Sequence, residues 1–151
     1  MNINEYRSDI RELIRDVNEK RIDNPDEAIA CCDKLEEYGL SVKDNALIGY
    51  ARFTKGEIYY SKNDVANFYL NMMECMEPYK SIREWGYLVM ANNMLGIMTV
   101  NRGMIPTAVD YFYEAFDYCD KYKLPDLKWM VDLNMAGLYT ILGDYESAKN
   151  H

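Results

Sequence analysis

Histidine is almost missing from this chain. A single one stands among 151 residues, and it is the last of them, His151. That scarcity removes Ser-His and Cys-His nucleophile systems and any histidine-based metal cluster; no catalytic residue, metal or cofactor is expected. Phosphate-cradling glycine loops are missing too, since the eight glycines are dispersed and Gly-x-x-x-x-Gly-Lys does not occur. Basic residues are in the minority, 17 against 25 acidic ones, for a net charge of −8. A field of that sign repels a phosphate backbone, so nucleic acid is not an expected partner. No apolar run approaches the roughly 20 residues that cross a bilayer. The pattern starting at Met1 is already charged and amphipathic, unlike a secretory leader. No membrane insertion and a cytoplasmic location are expected.

The four cysteines, Cys31, Cys32, Cys75 and Cys119, form no Cys-x-x-Cys pair and fall in helical patterns. They read as reduced, buried small hydrophobes. Adjacent carboxylates such as Glu36-Glu37 lie in a charged helical stretch and read as a solvated face.

Strand signals are also absent: there is no sustained alternation and no Asn-Gly hairpin. Apolar residues recur instead at helical spacing, as in Ile3, Tyr6, Ile10, Leu13, Ile14 and Val17. The chain should be all-α. Asn24-Pro25-Asp26-Glu27 has a capping side chain, a first-turn proline and a following Glu, the elements of a helix start. Ser41-x-x-Asp44 and Ser81-x-x-Glu84 match the capping box and lie 40 residues apart.

Self-similarity at that interval recurs. Ala28, Phe68, Ala108 and Ala148 form one column, Asp16, Gly56, Gly96 and Ala136 a second, and Asp23, Asn63, Gly103 and Gly143 a third made of turn formers. The spacing predicts helix pairs over 2–22 with 25–38, 42–61 with 64–79, 82–101 with 104–122, and 126–142 with 144 onward. Small residues in the second column would let paired backbones approach. The expected architecture is an α-solenoid of antiparallel helix pairs, about 7–8 helices in one domain. Its units are 1–40, 41–80, 81–123 and 124–151, the last cut short within its second helix.

Leu95-Gly96 with Ala108, Phe112 and Ala115, followed by Ala136, Tyr139, Gly143-Asp144-Tyr145 and Ala148, resembles the tetratricopeptide repeat pattern. The period is longer than that family's usual repeat of about 34 residues. Thr99 stands where an aromatic is usual, Phe68 replaces a small residue, and Asp16 and Glu19 make the first unit the most divergent, as a polar terminal cap would be. The resemblance implies a right-handed array like the extended N-terminal input regions of bacterial signalling proteins, with an output domain beyond His151. A GGDEF diguanylate cyclase is the output it most suggests; a regulator with a C-terminal DNA-binding domain is the alternative. It also implies a groove lined by the first helix of each pair, whose inward columns hold Tyr50, Phe53, Glu57 and Tyr60, then Met90, Asn93, Ile97 and Asn101, then Met130 and Asn134. Such a mixture of aromatics, thioethers and amides suits a peptide, a protein partner or a second copy of the chain. Each of Asn93 and Asn134 would hold a peptide amide through both ends of its carboxamide. Those columns carry few cations, and Glu57 would repel a terminal carboxylate, so a carboxylate clamp is not expected. The aromatic run Tyr111-Phe112-Tyr113 with Phe116 and Tyr118 reads as core of a second helix. An assembly scaffold without a regulated ligand is the other function class this pattern allows.

Overall fold

Five residues of positive φ punctuate the chain at a constant interval of 20: Lys43 (57°), Asn63 (58°), Arg83 (58°), Gly103 (75°) and Lys123 (54°). Each ends one helix in the left-handed conformation, and the next residue starts another. In four of the corners that next residue's N–H closes back on the carbonyl five positions earlier: Asp44 on Gly39, Asp64 on Tyr59, Met104 on Thr99 and Leu124 on Cys119, at 2.9–3.0 Å. These bonds satisfy carbonyls that a helix end would leave orphaned. The 40-residue repeat of the sequence is thus a 20-residue repeat of the backbone, taken twice.

The computed structural model describes residues 1–149, apart from the side chains of Tyr145, Ser147, Ala148 and Lys149. The side chain of the expected fourth alanine, Ala148, and the whole of His151 lie outside that description. A 3₁₀ turn at Ile3–Glu5 precedes α1 (Ser8–Lys20), α2 (Pro25–Val42), α3 (Asn45–Ser61), α4 (Val65–Glu74), α5 (Met76–Ser81), α6 (Trp85–Asn101), α7 (Ile105–Lys121) and α8 (Pro125–Lys149). The described residues contain no strand, so the all-α class stands.

Three corners are capped by side chains at the same 20-residue interval: Asn24, Asp44 and Asp64 accept from the N–H groups of Glu27, Leu47 and Asn67. This corrects the helix starts read at Ser41 and Ser81. Both serines still belong to the preceding helix, where their hydroxyls donate to the carbonyls of Tyr38 and Glu77. At the first of these corners the Asp44 carboxylate, beside the left-handed residue, takes the cap in place of the more distant hydroxyl. Glu84 starts α6 without a side-chain cap.

The chain divides into two compact units, Met1–Arg83 and Glu84–His151. In the first, Ile10, Ile14 and Val17 of α1 close on Cys31, Cys32 and Leu35 of α2 and on Leu47 and Ala51 of α3. α3 then runs antiparallel to α4 and α5, for Gly56 lies under Met72 and Gly49 under the ring of Tyr79. The expected single helix over 64–79 is broken at Cys75. Pro78 causes the break, having no N–H to offer the Glu74 carbonyl four residues back, and it falls in the first turn of α5, where that donor would be idle.

In the second unit α6 is apolar almost all round, with Leu88, Val89, Ala91, Leu95 and Met98 buried, because α7 covers one side and α8 another. Gly96 takes the ring of Phe112, just as Gly56 takes Met72. Trp85 stacks on Tyr122, ring centroids 4.0 Å apart at 6°, with Tyr118 beside it.

The second column holds its register: Gly56, Gly96 and Ala136 are each eleven residues past the first residue of their helix, Asn45, Trp85 and Pro125. Ala136, however, is exposed. The expected corner at Gly143-Asp144-Tyr145 is not formed, and α8 continues through it to Lys149. A Cβ on Gly143 would meet nothing within 4 Å, so no packed neighbour there compensates for the helical hydrogen bonds a corner would break.

Candidate functional site

The four inward residues expected on α3 divide between core and surface. Phe53 is 3% exposed and sits edge-on to Tyr79, so it is core rather than groove. Tyr60 packs edge-on against Phe68, centroids 5.4 Å apart. Glu57 accepts from Arg21 at 3.2 Å, so its charge is largely neutralised and the repulsion assigned to it is muted. The hydroxyl of Tyr50 donates to Asn18 Oδ1 at 3.3 Å.

A second cluster nearby escaped the sequence reading. Glu36 is no solvated carboxylate: it accepts from Arg52 Nε at 3.2 Å and from Lys55 Nζ at 2.7 Å, and Lys55 also reaches Asp33 at 2.9 Å. Burial alone would push the Glu36 carboxyl up, but the two cations outweigh it and hold it below the usual range. For Lys55 burial acts downward, yet its two carboxylates raise it above an ordinary lysine. Charges at i and i+3 on α2 met by charges at i and i+3 on α3 were the signal that could have revealed this network.

On α6 and α8 the expected residues do come together. Asn134 Nδ2 donates to Asn93 Oδ1 at 2.7 Å. This revises the role given to the two asparagines: one of the two N–H donors of Asn134 and one of the two lone pairs of Asn93 Oδ1 are spent on each other, so the pair acts as one linked unit rather than as two independent clamps. Asn93 is only 5% exposed and acts from beneath the surface. Ile97, Asn101 and Asn134 line a cleft of about 200 Å³ together with Val100, Phe112, Leu133, Gly137, Leu138 and Ile141. Met90 and Met130 are half-buried on the same two helices and do not line it.

This cleft has no charged lining residue. Its wall on α8 is Leu133, Gly137 and Ile141, one residue per turn; Leu133 and Ile141 are exposed, and nothing lies within 4 Å of a Cβ on Gly137. The i, i+4, i+8 spacing would have identified that wall in the sequence. A second recess of about 270 Å³ lies between α7 and α8, where Tyr113 and Tyr139 share a hydrogen bond at 2.8 Å. Tyr113 is exposed there rather than core. Phe112 and Ala115 of the same run are buried.

All four cysteines are free and buried. Burial pushes the thiols of Cys32 and Cys75 up to about 12.

Among the described residues no cluster of histidine, cysteine or carboxylate could hold a metal ion, and no helix is long and apolar enough to cross a membrane. Comparison of the chain with models of known families, with curated proteins and with solved structures gave no match.

Proposed function

We propose that this chain is a protein- or peptide-interaction module whose binding site is the cleft between α6 and α8. The observation that carries the reading is the composition of that cleft. Ile97, Val100, Phe112, Leu133, Leu138 and Ile141 form an uncharged apolar recess with the carboxamides of Asn101 and Asn134 among its lining. An apolar side chain of an extended peptide fills the recess, and the carboxamides meet the peptide's backbone amides. The volume fits one large side chain rather than a free small-molecule metabolite. The resemblance to tetratricopeptide input regions extends the proposal: binding would serve as the sensory or dimerising input of a larger signalling protein, with a diguanylate cyclase as its output.

Selection of displayed peptides against the protein tests this. Enriched peptides should share a bulky apolar residue, and Gly137→Leu, which fills the recess from an open helix face, should weaken them about tenfold or more. Peptides that bind the variant as well as the native chain would refute it.

A further inference from the structure

We infer that a second site, in the first unit, takes a phosphate group. It is a cleft of about 430 Å³ between the N-terminal 3₁₀ turn and α1, lined by Ile3, Asn4, Arg11, Ile14, Arg15 and Asn18. This site is independent of the α6–α8 cleft and belongs to the other unit.

Charge on α1 is sorted by face. At about 100° per residue, Arg11, Arg15 and Asn18 fall within an arc of about 60°, whereas Asp9, Glu12, Asp16 and Glu19 occupy a separate arc of about 80° centred roughly 110° away. No carboxylate lines the cleft. The other cations along this stretch are neutralised: Arg7 by Asp9, Lys20 by Glu27 and Arg21 by Glu57. Arg11 and Arg15 have no ion-pair partner among the described residues. Two adjacent guanidiniums left without counter-charges, in a chain with 25 acidic residues, are an arrangement that an anion completes.

Asn18 adds direction. Its Oδ1 already accepts from the Tyr50 hydroxyl at 3.3 Å, which leaves its NH₂ as the group available to the cleft. Tyr50, expected from the sequence to touch ligand, thus acts one step back as a positioning residue. The lining offers two forked guanidiniums, one oriented amide donor and the carboxamide of Asn4 over an apolar floor of Ile3 and Ile14. Side chains at i and i+4 lie about 5–6 Å apart at Cβ, so one anion can accept from both arginines. A carboxylate has two oxygens and is satisfied by a single fork; a phosphate has three terminal oxygens and can accept from both arginines and the amide together.

Titration of the ¹⁵N-labelled protein at physiological ionic strength, with inorganic phosphate, pyrophosphate, glycerol 3-phosphate and citrate as separate probes, tests the assignment. The Arg11 and Arg15 Nε–H signals should shift saturably with pyrophosphate or glycerol 3-phosphate below about 10 mM. A response to the ester that exceeds inorganic phosphate identifies a phosphorylated small molecule; the reverse order identifies the free ion. Arg11→Gln and Arg15→Gln should each weaken binding about tenfold, and Lys34→Gln, on exposed α2 surface, should not. Because the native signals report directly, a variant that misfolds leaves the test intact. Citrate binding as tightly as pyrophosphate, an equal loss in Lys34→Gln, or no saturable shift would each overturn the inference.

Discussion

The guanidinium of Arg52 reaches from α3 to donate to the backbone carbonyl of Glu74 at 3.1 Å, the carbonyl that Pro78 leaves without its helical N–H. One side chain thereby repairs the break between α4 and α5 while it pairs with Glu36 on α2. Arg52→Met should lower stability by about 1 kcal/mol, from the lost bond to a solvent-accessible carbonyl and a half-buried Glu36 short of one partner. In a Pro78→Ala background residue 78 can donate again, so the loss from Arg52→Met should shrink. Urea unfolding of the four proteins of this cycle measures the coupling; equal losses in both backgrounds would show that Arg52 does not serve the break.

Gly56 and Gly96 occupy the same register but face different neighbours. A Cβ on Gly96 would sit 2.7 Å from the Phe112 ring, whereas on Gly56 it would sit 2.9 Å from both Cγ and Cε of Met72. Gly96→Ala should therefore cost about 1–3 kcal/mol through overpacking against a rigid ring, despite the gain in helix propensity. Gly56→Ala should cost less than Gly96→Ala, because the unbranched Met72 side chain adapts more readily than a ring, although its Cγ must also shift. Thermal melts of the two variants decide it.

Lys123 adopts φ 54° without glycine's freedom. Lys123→Gly should stabilise the second unit by up to about 1 kcal/mol by relieving left-handed strain, whereas Gly103→Ala, at φ 75°, should destabilise it by a similar amount. Shifts of the urea midpoint in opposite directions are the expected result.

The all-α class and the 40-residue interval were legible because apolar spacing and turn formers such as Asn63 and Gly103 agree on them. The underlying 20-residue interval was hidden, since Lys43, Arg83 and Lys123 take the same backbone state without any residue type that announces it. Ser41 and Ser81 misled for a related reason: each can cap a helix, but each already bonds a carbonyl behind it. The turn code at Gly143-Asp144 is clear in the sequence, yet a corner forms only where a following helix packs. At the site, Asn93 and Asn134 were found as a pair because their separation of 41 residues nearly matches the repeat. Phe53 was misplaced because an aromatic on an inward column and one in a core have the same spacing.

The Glu36, Arg52 and Lys55 cluster sets a pH window. The Glu36 carboxyl is held below its ordinary value of 4.5 in the folded chain, so its contribution is complete above that value and is lost as pH falls through the lower, folded one. The Lys55 ammonium is raised above 10.5, so its contribution is complete below that value and is lost as pH rises past the folded one. The stability gap between native protein and Glu36→Gln should stay level from about pH 6 to about 9, inside those limits, and narrow below about 4.5. A gap independent of pH down to acid unfolding would remove the ion pairs from the account.

The most direct test of the α6–α8 cleft is chemical-shift mapping with a selected peptide bound to the ¹⁵N-labelled chain. The largest changes should cluster on Ile97, Asn101, Leu133, Asn134 and Gly137, with the Asn134 side-chain amide among them. Changes centred on Tyr113 and Tyr139, or confined to the first unit, would contradict the assignment of the cleft as the binding site.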